Sequence, residues 1–142
     1  MIVDANVLLY AVDGASPFHD RSRRWLEDRI NGTTRVGLPW QSLGAFVRIV
    51  SHPRALDRPL TATEAWEHVR AWLIQPSVWV PIETERHAEV LEDLVVRHDV
   101  RGNLVSDARL AALAIEHGVP VASADTDFAR FPEITWVNPL TY

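Results

Sequence analysis

Four aspartates are the residues of this sequence best suited to act together in catalysis. Asp4 follows an apolar run at the start of the chain, Asp107 comes much later, and Asp125 and Asp127 stand close together near the end. Carboxylate oxygens suit Mg²⁺ or Mn²⁺, and the chain has no cysteine and no histidine pair at ligand spacing. A metal ion bound in this way usually serves phosphoryl chemistry. If the four side chains meet in space, they predict a divalent-cation site.

The elements around these aspartates predict that they meet at one edge of a parallel sheet. Residues 1–3 form an apolar run without alternation, which indicates a strand covered on both faces, and residues 119–123 form another. Each run ends near an aspartate, and parallel strands bring their carboxyl ends to a common edge where ligands bind. Asp107 lies early in an alanine-rich helix predicted over residues 103–117, on its apolar face. We therefore expect the four aspartates to converge.

Each aspartate also has a purely structural interpretation. The helix dipole favours a carboxylate at the position of Asp107. Asp125 and Asp127 could cap a short helix around Phe128, as polar residues in turns often do. Three or four carboxylates brought together from distant segments are harder to explain in this way, because a buried charge is costly unless a cation or hydrogen bonds compensate it.

Strand and helix signals alternate along the chain, which predicts one α/β domain over residues 1–142. The 142 residues are enough for one core and too few for two ordinary domains. The prediction is a mainly parallel five-stranded sheet flanked by helices. Further strands are predicted over residues 35–38, 78–80 and 134–137. Further helices are predicted after a Ser16 cap with Pro17 first, over residues 41–50, behind a capping box of Thr61 and Glu64, and from Thr84.

Composition restricts the partners and the location of the protein. The net charge of −5 argues against a protein that binds nucleic acid over its whole surface, but it leaves room for a local basic patch. Without an apolar run long enough to span a bilayer or a signal peptide, the expected location is the cytoplasm, with no membrane partner. Candidate residues for a patch that contacts phosphate or a protein partner are Arg21, Arg23, Arg24, Arg48, Arg54 and Arg58.

Short motifs in a fixed order carry a family resemblance. The sequence has DAN at residues 4–6, GNLVSDA at residues 102–108 and SADTDF at residues 123–128. Together they resemble the PIN-domain ribonucleases, and within them the VapC toxins of bacterial toxin–antitoxin pairs. LPW at residues 38–40, followed by FVRIVSHPR at residues 46–54, is similar to a stretch typical of that branch. The resemblance covers essentially the whole chain.

The resemblance implies a PIN-like, Rossmann-like sheet and an endoribonuclease that cleaves RNA phosphodiesters with a water activated by Mg²⁺ or Mn²⁺. It also implies neutralisation by a cognate antitoxin, and the exposed aromatics and long apolar helix faces suggest a homodimer. The family's catalytic, metal-binding positions correspond to Asp4, Asp107 and Asp125, its auxiliary metal ligand to Asp127, and its supporting polar residues to Asn6 and Ser123.

One position departs from the family pattern. The family usually carries a glutamate just before the Phe-x-Arg of its third helix, and Ala45 stands there. Alanine cannot bind a metal, although Gln41 and Ser42 lie one turn away and could hold a metal-bound water. The alternative is a degenerate PIN fold that binds RNA or an antitoxin with little or no catalysis. The retained aspartates favour the enzyme, because like charges kept together in a buried site are costly.

Two other enzyme classes fit the sequence less well. A phosphatase of the haloacid dehalogenase type would need an acid at the position of Asn6. A Toprim-like nuclease would need a glutamate on the first strand, and that strand carries none.

Overall fold

The computed structural model describes residues 1–141 and contains one sheet of five short strands. These are β1 (Ile2–Val3), β2 (Val36–Gly37), β3 (Val78–Trp79), β4 (Val121–Ala122) and β5 (Trp136–Val137). Their order is β3-β2-β1-β4-β5, and every neighbouring pair is parallel. The predicted parallel sheet is therefore confirmed, with β1 at its centre.

Six α-helices surround the sheet. They are α1 (Ala5–Val12), α2 (His19–Ile30), α3 (Trp40–Val50), α4 (Ala62–Leu73), α5 (His87–Arg97) and α6 (Leu104–His117). Two short 3₁₀ turns, Thr126–Arg130 and Pro139–Thr141, complete the described chain. None of the helices within residues 1–141 is long and apolar enough to cross a membrane.

The sheet separates two halves of the hydrophobic core. Val3 and Ala122 face one half, which is built with side chains from α1 to α4. Ile2 and Val121 face the other half, which is built with side chains from α5 and α6 and with Phe128. Because neighbouring residues of each strand point to opposite faces and both faces are covered, the strands are apolar throughout.

Two local sequence signals end or begin helices as predicted. The Thr61 hydroxyl accepts a hydrogen bond from the Glu64 amide at 3.1 Å, and the Glu64 carboxylate accepts one from the Thr61 amide at 3.0 Å. This capping box starts α4. Gly118 ends α6 with a φ of 65°, a left-handed conformation that glycine adopts without steric cost.

Helix α1 was not predicted, and α2 and α5 begin two or three residues later than predicted. The apolar residues after Asp4 belong to α1, which the pattern did not reveal, and Asp4 itself caps this helix. The second helix begins at His19 and not at Pro17, because the Ser16 hydroxyl accepts a hydrogen bond from the Phe18 amide in a turn. Helix α5 begins at His87 and not at Thr84, whose hydroxyl donates to the Glu116 carboxylate.

Candidate metal centre

The carboxyl ends of β1 and β4 meet, and they bring two of the predicted aspartates together. The Asp4 amide, just beyond β1, donates to the carbonyl of Ala122 at 2.9 Å. Asp125 follows β4 closely and caps the 3₁₀ turn that contains Asp127, whose amide donates to the Asp125 carboxylate at 2.8 Å. Asp107 approaches from the first turn of α6. The convergence rests on strand order, as a parallel sheet requires.

Three of the four aspartates lie within reach of a single ion. Carboxylate oxygens of Asp107, Asp125 and Asp127 all lie within 4.8 Å of one another, and all three residues are half-buried. Asp4 stands beside this group, since its negative charge contributes to raising the pKa of Asp107. Asp127, to which the resemblance assigned an auxiliary role, therefore lies as close to the other two carboxylates as they lie to each other within this limit.

Asp4 is fixed in place by three hydrogen-bond donors. Its Oδ1 accepts from the Ala5 backbone amide at 2.8 Å. Its Oδ2 accepts from the Ser123 hydroxyl at 2.8 Å and from the side-chain Nδ2 of Asn6 at 3.3 Å. Burial nevertheless raises the pKa of Asp4, because desolvation outweighs the opposing hydrogen bonds from Ser123 and Ala5, and the charge of Asp125 adds to the rise.

Ser123 joins the two strand ends. It is completely buried, and its hydroxyl donates to Asp4 while accepting from Asn6 Nδ2 at 3.1 Å and from the Asp125 amide at 3.0 Å. These bonds use the full capacity of a hydroxyl group. The side-chain oxygen Oδ1 of Asn6 also accepts from the Ala124 backbone amide at 3.1 Å. Asn6 and Ser123 therefore orient the aspartates, which is the supporting position that the resemblance implied for them.

The pKa of Asp107 shows that this cluster concentrates negative charge. The pKa of Asp107 is raised to about 7, mainly by burial and further by the charges of Asp125, Asp4 and Asp127. The helix dipole alone would lower the pKa of an acid in the first turn. Burial and the neighbouring charges therefore oppose the ionisation of Asp107, whereas the helix dipole would favour it.

The residues present fit a divalent cation. Their donors are carboxylate oxygens grouped within the span of one ion, which is the ligand chemistry that Mg²⁺ and Mn²⁺ prefer. A bound cation would also offset the repulsion that raises the pKa of Asp107. The guanidinium of Arg130 approaches Asp127 only at 3.5 Å and is exposed, so it neutralises the cluster weakly.

Two hydrogen bonds connect the start of α3 to the backbone just before Asp107 and just before Asp4. The Gln41 side-chain amide donates to the Ser106 carbonyl at 2.7 Å, and the buried Ser42 hydroxyl donates to the Val3 carbonyl at 2.6 Å. Both groups already have protein partners, so they position α3. Ala45 lies one turn after Gln41 on the same side of α3 and is partly buried.

One residue that supports the site carries no local sequence signal for that role. The indole Nε1 of Trp136, in β5, donates to the Ser123 carbonyl at 3.0 Å and so anchors the end of β4. The sequence marked Trp136 only as a strand residue. Its contact depends on β5 lying next to β4, which no local pattern specifies.

The predicted arginines are spread over different surfaces. Arg21 donates to the Leu140 carbonyl at 2.6 Å, Arg23 pairs with Glu27 at 3.0 Å, and Arg24 is exposed on the same helix. Arg48 and Arg54 lie together at the end of α3, while Arg58 lines a separate hollow.

Comparison with known proteins shows which family the chain belongs to. The chain matches the family model of the PIN domain over residues 1–134. It is 44% identical to "Ribonuclease VapC37" of Mycobacterium tuberculosis over 138 residues, which cover 97% of this chain and 96% of that protein.

Solved structures share the fold. The crystal structure of VapC20 from Mycobacterium tuberculosis, described as a sarcin-ricin loop cleaving toxin, has a TM-score of 0.66 at 20% identity, covering 90% of this chain and 92% of that one. A chain of a toxin–antitoxin complex from Klebsiella pneumoniae has a TM-score of 0.65 at 16% identity, covering 97% and 96%. At these identities the similarity concerns the fold alone.

Proposed function

This chain belongs to the PIN-domain family, among the proteins named VapC ribonucleases, and on that premise we propose that it is a metal-dependent endoribonuclease and the toxin of a toxin–antitoxin pair. The observation that carries the metal dependence is the grouping of Asp107, Asp125 and Asp127 within the span of one ion, with Asp4 beside them. These residues come from distant parts of the chain, so their meeting is a property of the fold.

In this proposal the four aspartates hold Mg²⁺ or Mn²⁺, with Asp4, Asp107 and Asp125 as the catalytic residues and Asp127 as a further ligand. A cation bound there lowers the pKa of bound water and stabilises charge on the phosphate. Ser123 and Asn6 keep Asp4 and Asp125 oriented through the hydrogen bonds already described. The protein contributes positioning and charge compensation. Water would add to the phosphorus while one P–O bond to a ribose breaks, so that one fragment keeps the phosphate and the other leaves as a hydroxyl that takes up the proton of the water, without a covalent enzyme intermediate.

The partners follow from the same premise. We propose RNA as the substrate, a cognate antitoxin as the inhibitor, a homodimer as the assembly and the cytoplasm as the location. The solved toxin–antitoxin complex with the same fold supports the antitoxin. The proposed dimer rests on the exposed aromatic side chains and the apolar helix faces, and the proposed location rests on the sequence composition.

The function is tested by mapping new 5′ ends in total RNA incubated with the purified protein. We expect discrete new ends in Mg²⁺, none in EDTA, and none with the Asp107→Asn variant. Cutting that persists in EDTA would contradict the metal-dependent mechanism. If RNA is bound in Mg²⁺ but not cut, the degenerate PIN fold suggested by Ala45 becomes the better interpretation, and Ala45→Glu would be the next variant to make.

Ser123→Ala is expected to lower both stability and activity. It removes a buried hydroxyl that makes three hydrogen bonds, so the free energy of unfolding should fall by about 2–3 kcal/mol. RNA cleavage should fall by about 10- to 100-fold, because Asp4 and Asp125 lose their common support. Both effects are measured by chemical denaturation and by initial cleavage rates below the unfolding temperature.

Ser22→Ala is the matched control for this variant. Ser22 is equally buried, but its hydroxyl donates to the Val7 carbonyl at 2.7 Å, and within residues 1–141 it makes no hydrogen bond to the aspartates. We expect this variant to lose about 1 kcal/mol of stability and to keep its cleavage rate. An unchanged rate in Ser123→Ala would show that the hydroxyl does not position the site.

A further inference from the structure

Two tryptophans on the surface stack on each other instead of entering the core. Trp40 is the first residue of α3 and Trp66 lies in α4, with ring planes 7° apart and centroids separated by 6.2 Å. Trp40 remains 51% exposed and Trp66 43% exposed. Because each ring keeps about half of its surface in contact with solvent, the pair presents a flat aromatic surface that can accept another ring.

Trp40 lies at the start of α3, the part of that helix that is bonded to the backbone next to the acidic cluster. Trp40 directly precedes Gln41 and Ser42, the two residues that fasten α3 to the carbonyls of Ser106 and Val3. Those carbonyls belong to the residues immediately before Asp107 and Asp4. A molecule whose reacting group is held by the aspartates therefore has the start of α3 as its neighbouring surface.

An exposed arginine lies further along α3, about two helical turns beyond Gln41. Arg48 lies seven residues after Gln41, on the same face of the helix, and is exposed. It forms no ion pair within residues 1–141. With His52 and Arg54 it lines a hollow of about 310 Å³. In a chain of net charge −5, this is a local surface suited to an anion.

The surroundings of the aromatic pair favour a nucleic acid over a second protein. One helical turn from Trp66 lie the exposed residues Thr63 and Arg70, and one turn from Trp40 lies exposed Gly44. A Cβ added at Gly44 would meet no atom within 4 Å, so the surface next to Gly44 is not covered by other side chains. Apart from the small side chain of Ala62, the exposed apolar area among these neighbours consists of the two rings, whereas a protein interface usually needs a broader apolar centre.

We propose that Trp40 and Trp66 stack an unpaired base of the RNA substrate and that Arg48 contacts its adjoining backbone phosphate. This inference rests on the proposed ribonuclease function and specifies its substrate as single-stranded or looped RNA. Aromatic rings accept any base, because every base has a π-face, while arginines follow the backbone. A continuous duplex keeps its bases stacked on one another and cannot offer one to the tryptophans.

The test measures binding of a labelled single-stranded RNA of about 12 nucleotides by fluorescence anisotropy. All variants carry Asp107→Asn, so that the RNA is not cut. We expect Trp40→Ala to weaken binding by about 5- to 100-fold, and Trp66→Ala to weaken it in the same direction. Trp40→Phe keeps a ring and should restore most of the affinity. The same strand annealed to its complement should bind weakly and respond little to Trp40→Ala.

Phe18→Ala is the matched control for the aromatic variants. Phe18 is 41% exposed and also packs on an aromatic ring, that of Tyr10 at 5.2 Å, but it lies beyond the far end of α1. Its removal should leave RNA affinity unchanged. An equal loss in Phe18→Ala would indicate a general effect of deleting exposed rings and would overturn the assignment to Trp40.

Salt dependence separates the stacking contact from the phosphate contact. Arg48→Ala should reduce the slope of log affinity against log salt concentration by about 0.7, the value for one phosphate contact on a single strand. Trp40→Ala should lower affinity without changing this slope. Arg86→Ala, an exposed arginine at the start of α5, should change neither. An unchanged slope in Arg48→Ala would overturn the phosphate contact.

The outcomes also separate this inference from the proposed function. The function stands and the stacking inference is wrong if the protein cuts RNA in Mg²⁺ and the tryptophan changes have no effect: with Asp107→Asn they bind as well as Asp107→Asn alone, and without it they cut as well as the wild type. If the protein binds RNA through Trp40 but cuts nothing, the inference stands and the catalytic function is wrong. If Trp40→Ala converts a dimer into a monomer in light scattering, the tryptophans form a subunit interface and the inference is overturned.

Discussion

Asp107→Asn is expected to reduce RNA cleavage at least about a thousandfold while making the metal-free protein harder to unfold. The loss follows from the removal of a charged ligand from the group that would hold the cation, a change worth about 4 kcal/mol or more in the barrier. The gain follows because Asp107 faces the charges of Asp125, Asp4 and Asp127 in a half-buried site. Asparagine has nearly the same shape and removes that repulsion.

The gain in stability should depend on pH in a defined direction. In the folded protein the pKa of Asp107 is raised from 3.8 to about 7. Well below pH 3.8 the group is protonated in both states and contributes no difference. As the pH rises from about 4 to about 7, the unfolded chain loses this proton while the folded protein retains it, so the wild-type protein becomes less stable. Above about pH 7 the full destabilisation is present.

Thermal unfolding in EDTA between about pH 5 and pH 8 measures this difference. With allowance for solvent screening in a half-buried site, we expect Asp107→Asn to exceed the wild type by about 1–2 kcal/mol at pH 8, or about 3–6 °C. The difference should shrink as the pH falls towards 5. Asp20→Asn, an exposed aspartate in the first turn of α2, is the control and should not gain stability. A less stable Asp107→Asn at pH 8 would contradict the electrostatic account of the cluster.

Binding of Mn²⁺ or Mg²⁺ is expected to weaken by about 30-fold between pH 8 and pH 5.5. A metal ion binds the ionised carboxylate, and a pKa of about 7 leaves Asp107 mostly protonated at the lower pH. Each ion that binds there must then release one proton. Because the other aspartates contribute to the raised pKa of Asp107, the ion and the proton compete for the same negative charge.

Isothermal titration calorimetry with Mn²⁺ at the two pH values measures both quantities. Repeating the titration at pH 5.5 in two buffers of different ionisation enthalpy gives the number of protons released, which we expect to approach one. In Asp107→Asn the affinity should be low and nearly independent of pH over this range. An affinity for Mn²⁺ in the wild type that does not change with pH would show that Asp107 is not the ligand whose proton is displaced.

The strands, several helix ends and the candidate acidic residues could all be predicted from the sequence alone. The strands are apolar because both faces of the sheet are covered, and this leaves a signal within a few neighbouring residues. The capping box of Thr61 with Glu64 and the glycine at position 118 likewise act through adjacent backbone groups. Signals of this range are legible in a single sequence.

The helical state of the residues after Asp4 was decided at longer range. Their apolar run is compatible with a strand as well as with a buried helix, and periodicity does not separate the two over so few residues. The structure makes them α1, with Asp4 as its cap, while side chains such as Val7 and Leu8 pack in the core. Packing on the sheet, and not local propensity, fixes this choice.

The assembly of the site and the interactions of its charges depend on contacts between distant segments, which only the tertiary structure shows. The Ser123–Asp4 hydrogen bond joins residues 119 positions apart, and the Trp136 bond to Ser123 needs β5 to lie beside β4. The raised pKa of Asp107 and the stacking of Trp40 on Trp66 depend equally on partners from other elements. Electrostatic and packing energies depend on distance in space, which strand order and helix packing determine, and therefore no local pattern of residues specifies them.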